Sequence, residues 1–147
     1  MYKATVRWMI RRNVKALAAG DPGPLLAGYA DDAVLVFPGR NTWSGEYRGK
    51  PAIEGFLRRY LADGLVGRAH DIVVNGPPWR MTICVLFTVQ AKSPDGALVY
   101  DNRAVLFVRA RWGKIVYQED FEDTHKPDEL EAYLASRPES ARETVEY

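Results

Sequence analysis

Four carboxylic acids stand where an apolar, alternating segment ends. The stretch YQEDFEDTHK, residues 117–126, contains Glu119, Asp120, Glu122 and Asp123. Because successive side chains of a β-strand point to opposite faces, these carboxylates cannot all face water. An inward carboxyl group in an apolar setting has a raised pKa, which suits proton transfer near neutral pH. The chemistry that this stretch offers is therefore general acid or base catalysis.

The hairpin ARWGKI, residues 110–115, decides which acid faces inward. A two-residue loop of the favoured primed type would hold the bulky Trp112 at positive φ, which is costly. A three-residue loop avoids this cost and pairs Ala104 with Asp120 across the two strands. We therefore predict a three-residue loop with Asp120 on the inner face, whereas a two-residue loop would place Glu119 there.

The same register gives Asp120 polar neighbours on the inner sheet face. Asn102 and Gln118 share that face with it and could orient a substrate or a water molecule. Glu122 and Asp123 are interpreted as a solvated strand end. The inner face of this hairpin is therefore predicted to be the wall of a cavity.

Other polar and aromatic residues have both a structural and a functional interpretation. Asn13 lies on the apolar face of a helix, where a buried amide either caps local backbone or reaches a ligand. His70 is predicted to face inward, either as a satisfied core histidine or as the proton-transfer partner of Asp120. Tyr29 and Trp43 could rim an apolar mouth or simply pack in the core.

The elements that must position these residues form an α+β pattern. The predicted helices cover 3–19, a short segment after Pro22, 51–63 and 127–136, and the predicted strands cover 33–37, 67–75, 79–91, 97–110 and 114–122. Helices followed by an antiparallel meander indicate one domain over residues 1–136, with helices against one face of a curved sheet. Residues 137–147 are predicted to form a C-terminal tail.

Composition narrows the classes of partner. The 147 residues are 47% hydrophobic with a net charge of +1, which favours neither nucleic acid nor a membrane as partner. The apolar run ICVLF, residues 83–87, is too short to span a bilayer, and the charged N-terminus is unlike a secretory signal. One cysteine and two histidines predict no disulfide and no metal site, and they fit a cytoplasmic protein.

The order of elements also resembles a known family. The segments that carry the resemblance are AGD (19–21), YADDAVLVFPG (29–39), YRGKPAIEGFL (47–57) and RWGKIVYQEDFED (111–123). Over about residues 3–125 the chain resembles the SnoaL-like branch of the nuclear transport factor 2-like superfamily. The resemblance implies a cone-like, curved, mostly antiparallel sheet wrapped around three N-terminal helices. This fold hosts isomerases, cyclases, epoxide hydrolases and non-catalytic binders, so it leaves the function open.

The resemblance implies a catalytic role for Asp120, but the other catalytic residues of the similar enzymes are missing. Asp120 matches the pocket aspartate that similar epoxide hydrolases use in acid–base catalysis. The arginine and second aspartate of those enzymes correspond to Thr82 and Cys84, and Thr82 is kept as a candidate substrate contact. The base and the oxyanion-stabilising tyrosine of similar ketosteroid isomerases correspond to Phe37 and Asn13. Neither established set of catalytic residues is therefore present.

Two functions of different class are compatible with these residues. The first is a cofactor-independent isomerase, cyclase or epoxide-hydrolase-like enzyme acting on a hydrophobic cyclic or polyketide-like molecule, with Asp120 and His70 as catalytic residues. Its predicted substrate contacts are Asn13, Asn102, Gln118, Thr82, Tyr29 and Trp43. The second is a non-catalytic ligand carrier or a dimeric interaction module. A second ionisable group reaching Asp120 would favour the enzyme.

Two further expectations concern packing. The chain is predicted to form a homodimer through an apolar outer sheet face, because the area of that face is too large to remain exposed to solvent on a monomer. Its predicted members are Met81, Ile83, Val85, Phe87, Val89, Val105, Phe107, Ile115, Tyr117 and Phe121. The helix at 127–136 is predicted to dock through Leu130, Tyr133 and Leu134.

Overall fold

The computed structural model describes residues 1–138, so the predicted tail at 137–147 lies almost entirely outside the described residues. The elements are α1 (Tyr2–Ala18), α2 (Gly23–Gly28), β1 (Tyr29–Phe37), β2 (Gly45–Arg48), α3 (Lys50–Ala62), β3 (Val66–Asn75), β4 (Met81–Lys92), β5 (Leu98–Arg111), β6 (Lys114–Glu122) and α4 (Lys126–Ser136). The predicted α+β class is confirmed, and the helix predicted at 127–136 is present as α4.

The strands of the described residues form one six-stranded sheet in the order β2-β1-β6-β5-β4-β3. All neighbouring strands are antiparallel except β1 and β6, which run parallel. Helix α1 packs against the edge strand β3, and α3 packs against β1 and β2 at the opposite side of the sheet. The curved sheet and these helices enclose an apolar interior between them.

Helix α3 shows how the sequence makes one covering element. Pro51 lies in its first turn, where a missing backbone N–H costs nothing. Ile53, Phe56, Leu57 and Tyr60 repeat at helical spacing and are buried against the sheet. The chain leaves the helix through Gly64 at a φ of 74°, a left-handed value that glycine adopts without a steric penalty.

The β5–β6 hairpin differs from its prediction. Arg111 pairs with Lys114, so the loop has two residues, Trp112 and Gly113, at φ values of 49° and 78°. The predicted three-residue loop is therefore wrong. Two contacts offset the strain at Trp112: its backbone N–H donates to the carbonyl of Pro78 at 2.8 Å, and its ring lies 5.8 Å from that of Trp79. The sequence pattern of a single hairpin could not show this contact with the β3–β4 turn.

A bulge restores the orientation that the shorter loop would have reversed. The register shifts between Arg109, which pairs with Tyr117, and Ala110, which pairs with Ile115. One extra residue in β6 returns the strand to its original parity. Asp120 therefore faces inward and is only 8% exposed, as predicted, although it pairs with Leu106 and not with Ala104.

Strand β4 presents the opposite face from the one predicted. Met81, Ile83, Val85, Phe87 and Val89 are buried and line the interior. Thr82 and Cys84 consequently lie on the outer face, paired with Arg109 and Phe107. The alternation of β4 itself favours this outcome, because the other parity contains Thr82, Thr88 and Gln90. The prediction was wrong because it assigned the apolar parity to an outer dimer face.

The predicted docking of α4 is confirmed. Leu130 is 1% exposed, and Tyr133 and Leu134 pack against the core beside it. A salt bridge of 2.9 Å joins Arg59 of α3 to Glu131, with both side chains partly exposed. Because exposed ion pairs contribute only about 0–1 kcal/mol, most of the free energy that docks the helix comes from the apolar contacts.

The strained turn yields a stability prediction. Trp112→Asn should raise the free energy of unfolding by about 0.5–1 kcal/mol, because asparagine tolerates the left-handed conformation and Asn-Gly suits a two-residue hairpin loop. Urea denaturation measures the change. Trp79→Ala is the control, since it removes the ring contact and leaves the turn unchanged. A Trp112→Asn variant that loses as much stability as Trp79→Ala would show that the ring contact outweighs the strain.

Candidate functional site

A cavity of about 150 Å³ lies between the sheet and the helices. Most of its wall is aliphatic and aromatic, contributed by α1, α3 and the inner face of the sheet. Seven polar or ionisable side chains line it: Asn13, Tyr29, Tyr60, Tyr100, Gln118, Asp120 and Glu122. An apolar pocket with a few convergent polar groups is the usual form of a small-molecule site.

Three of these side chains form a hydrogen-bonded row. The Tyr29 hydroxyl donates to Gln118 Oε1 at 2.6 Å, and Gln118 Nε2 donates to Asp120 Oδ1 at 2.8 Å. Burial, followed by the nearby Asp120 charge, raises the pKa of Tyr29, so its hydroxyl stays protonated and remains a donor. The row fixes the Gln118 amide and directs it at Asp120. One carboxyl oxygen of Asp120 is thereby held, and this row leaves the other free.

Asp120 has the electrostatics of a general acid or base. Burial raises the pKa of its carboxyl from 3.8 to about 7, the Gln118 hydrogen bond lowers it, and the Glu119 charge raises it. A carboxyl with such a pKa exchanges its proton near neutral pH, where general acid–base catalysis is most efficient.

Glu122 is a second carboxyl group in the cavity and was misassigned from the sequence. It lies on the same strand face as Asp120, two residues further along β6 and about 7 Å away at the Cα atoms. Burial and then the charges of Asp120 and Asp123 raise its pKa to about 8. The prediction of a solvated strand end is correct only for Asp123, which is exposed. The i, i+2 spacing from Asp120 was a signal that could have identified Glu122.

Two residues of the cavity wall have a buried polar atom without a hydrogen-bond partner among the described residues: Asn13 at its Oδ1 and Tyr60 at its hydroxyl. Burial, with the charges of Asp120 and Glu122, raises the pKa of Tyr60, so it too stays protonated. Buried polar atoms are usually satisfied, so a ligand could complete both. Sequence reasoning missed Tyr60 because it lies in an ordinary apolar helix face.

Trp43 forms part of the cavity wall within an aromatic cluster. Its ring packs edge-on against Phe56 at a centroid distance of 5.4 Å, and the Arg59 guanidinium lies 3.9 Å from its centroid on another side. Trp43 is therefore at the cavity, as predicted, and is packed within this cluster.

His70 is not a partner of Asp120. A bulge between Ala69 and Ile72 adds a residue to β3 and turns His70 to the exposed side. Its Nε2 lies 2.8 Å from Thr88 Oγ1, and it lines a separate groove. The predicted pairing of His70 with Asp120 is wrong.

Two predicted substrate contacts are also corrected. Thr82 lies on the outer sheet face and cannot reach the cavity. Asn102 is buried, but its amide donates to the Tyr100 hydroxyl and the Asp123 carbonyl, both at 3.0 Å, and its Oδ1 accepts from the Arg103 backbone. Asn102 therefore braces the rim and has no donor or acceptor directed inward.

Within residues 1–138, no group of three or more His, Cys, Asp or Glu side chains is arranged to hold a metal ion. Over the same residues, no helix combines the length and the apolar character needed to cross a bilayer.

Comparisons with known proteins agree on the fold. A family model described as a SnoaL-like domain matches residues 10–118. None of the curated proteins compared with the chain matches it.

Three similar solved structures extend that agreement. Bal32a from a soil-derived mobile gene cassette has a TM-score of 0.71 at 19% identity, covering 85% of this chain and 95% of its own. An NTF2-like protein of unknown function from Burkholderia pseudomallei has a TM-score of 0.70 at 20% identity, and the match covers 85% of this chain and 95% of that protein. TerC, co-crystallised with polyporic acid, has a TM-score of 0.65 at 22% identity, and the match covers 85% of this chain and 96% of TerC. At these identities the likeness establishes the fold alone.

Proposed function

The chain belongs to the SnoaL-like domain family, and on that premise we propose that it is a cofactor-independent enzyme that moves protons on a small hydrophobic ring compound. The observation that carries the proposal is the pair of carboxyl groups, Asp120 and Glu122, inside an apolar cavity. An isomerase, a cyclase or an epoxide-hydrolase-like enzyme would each use such a pair.

The two carboxyl groups can divide the acid and base roles between them. Burial raises the pKa of Asp120 to about 7 and that of Glu122 to about 8, so near neutral pH one group can be ionised while the other keeps its proton. The hydrogen bond that Gln118 donates favours the ionised form of Asp120, which makes Asp120 the base and Glu122 the acid. Asp120 takes a proton from the substrate while Glu122 supplies one to a second atom, and the Tyr29–Gln118 row holds the base in place.

The cavity limits the size and polarity of the substrate. A volume of about 150 Å³ suits a single-ring molecule. A polyketide-sized substrate would require side chains at the cavity mouth to move. The free Asn13 Oδ1 favours a ligand that donates a hydrogen bond, and the Tyr60 hydroxyl can donate to a carbonyl or an epoxide oxygen. TerC, which has a similar fold, was co-crystallised with polyporic acid, and this supports a small-molecule ligand for the cavity.

Exchange of carbon-bound protons tests the reaction class without a known substrate. Single-ring ketones and epoxides would be incubated with the protein in D₂O and analysed by mass spectrometry. The proposal predicts deuterium uptake beside the carbonyl, or epoxide opening, that is lost in both Asp120→Asn and Glu122→Gln. Uptake at the same rate in either variant would contradict the role of that residue.

The second candidate is a non-catalytic carrier, which the unpartnered Asn13 and Tyr60 atoms would also suit. A carrier would bind a ring compound with a shift in melting temperature and convert none of the panel. Its affinity would fall in Asn13→Leu and Tyr60→Phe. It would be unchanged in Glu122→Gln, whereas an enzyme would lose turnover in that variant.

We also propose that the protein forms a homodimer through the outer sheet face. We propose a cytoplasmic location and no nucleic-acid partner. Val105 and Phe121 are 42% and 49% exposed on that face, beside Phe107 and Tyr117. Sedimentation at micromolar concentration should show a dimer. The double substitution Val105→Lys and Phe121→Lys should give a folded monomer, because it places like charges in an apolar interface. A monomeric wild type would contradict this proposal.

A further inference from the structure

A second depression lies outside the cavity, between α1 and the edge of the sheet. It is an open groove of about 700 Å³. Its wall comes from α1, β3 and β4: Arg11, Val14, Lys15, Ala18, Val66, Gly67, Arg68, Ala69, His70, Thr88 and Gln90. Val14 also lines the catalytic cavity, so the two spaces lie on either side of α1.

Among residues 1–138, the groove collects positively charged side chains and has no acidic residue in its wall. Arg11, Lys15 and Arg68 line it together with the ring of His70. Within residues 1–138, none of these cations forms a salt bridge. Cations collected in this way repel one another unless an anion lies among them.

Several groove side chains are already positioned. The Arg11 guanidinium donates to the backbone carbonyl of His70 at 3.0 Å, and the His70 ring contacts Thr88 Oγ1 at 2.8 Å. Gln90 bonds through its amide to Asp101, an exposed acid that is not part of the wall. Arg11 and His70 are thus tied to each other and to the sheet, which lowers the entropy cost of binding a ligand.

We propose that this groove binds a phosphate-bearing small molecule. Guanidinium groups present paired N–H donors that match phosphate oxygens, and Lys15 adds a point charge. The groove is larger than one phosphate group needs, so its ligand is a diphosphate or a phosphate ester. This inference does not depend on the reaction proposed for the cavity.

Pyrophosphate is the probe for the test. Calorimetry at constant ionic strength should give saturable binding to the wild type. The double variant Lys15→Gln and Arg68→Gln should bind at least tenfold more weakly. Arg80→Gln with Arg111→Gln is the charge-matched control at a distant turn and should stay within twofold of the wild type. Equal weakening in both double variants, or no saturable binding, would overturn the proposal.

The histidines provide a local readout, because the chain contains only His70 and His125. Pyrophosphate should shift the ring resonances of His70, assigned through His70→Gln, and leave those of His125 unchanged. Equal shifts of both, or a shift of His125 alone, would contradict the assigned site. If a single-stranded oligonucleotide produced the groove-dependent effects and pyrophosphate did not, the small-molecule ligand would be excluded.

Discussion

Replacing Asp120 with asparagine is expected to abolish proton transfer and to stabilise the protein at pH 8. A positioned acid or base typically contributes a 10²–10⁴-fold rate enhancement, so turnover should fall by about that factor. Asparagine has the shape of aspartate and can still accept the Gln118 hydrogen bond at its Oδ1. The activity loss would therefore report the carboxyl group and not a collapsed site.

The stability change follows from the raised pKa. The pKa of Asp120 is about 7 in the folded chain and about 3.9 in the unfolded chain. Between these values the native state keeps a proton that the unfolded state loses, so the free energy of unfolding falls as pH rises. Above pH 7 the cost of the buried charge is fully present, at about 1.4 kcal/mol for each unit of pKa. Asp120→Asn removes it and should gain about 1–4 kcal/mol at pH 8 and little at pH 4.

Glu119→Gln is the matched control for this prediction. Glu119 follows Gln118 on the opposite, outer face of β6, where it accepts a hydrogen bond from the Tyr117 hydroxyl. This variant should keep its activity and show no comparable gain between pH 4 and pH 8. If Asp120→Asn retained full activity on a confirmed substrate, Asp120 would be neither the acid nor the base.

Replacing Leu130 with alanine should cost about 2–5 kcal/mol, because Leu130 is only 1% exposed and its removal leaves a cavity. Leu130 and Pro127 of α4 also line the cavity. Loss of the leucine should therefore loosen α4 and admit water beside Glu122. Chemical denaturation measures the cost, and amide hydrogen exchange shows whether α4 opens before the sheet.

Leu98→Ala is the control with identical chemistry at a half-exposed site, and it should change stability by less than about 0.5 kcal/mol. Salt separates the two forces on α4. Because the Arg59–Glu131 pair is partly exposed, 0.5 M salt should loosen the helix only slightly. Release of α4 by salt alone would show that ion pairs, and not Leu130, hold it.

The sequence predicted the elements well because their signals are local. The periodicity of α3 and α4, Pro51 and Gly64 at helix ends, and the hairpin meander each depend on neighbours in the chain. The prediction that Asp120 faces inward depended on a three-residue loop, whereas the loop has two residues. The bulge in β6 adds one residue and so returns Asp120 to the inner face. The correct face was thus reached through a register that the structure does not have.

Most of the errors share a physical cause, which is that register and bulges are set by tertiary contacts. The bulge in β3 turns His70 outward, and the residues next to His70 in the sequence do not predict a bulge there. Strand β4 is the exception, because its alternation of apolar and mostly polar positions already favours Met81 and Ile83 for the interior. The prediction assigned that apolar parity to the outer face and was wrong. Tyr60 resembles any core position of α3 until its buried hydroxyl is known to lack a hydrogen-bond partner among the described residues.

Titration of the cavity carboxyl groups tests the central claim most directly. Carboxyl-carbon NMR of the wild type, with Asp120→Asn and Glu122→Gln used for assignment, follows both groups from pH 3 to pH 10. The structure predicts apparent pKa values of about 7 for Asp120 and about 8 for Glu122, and a lower value for Glu122 once Asp120 is replaced. Titration of both groups near pH 4 would show two solvated carboxylates and would contradict an acid–base pair in the cavity.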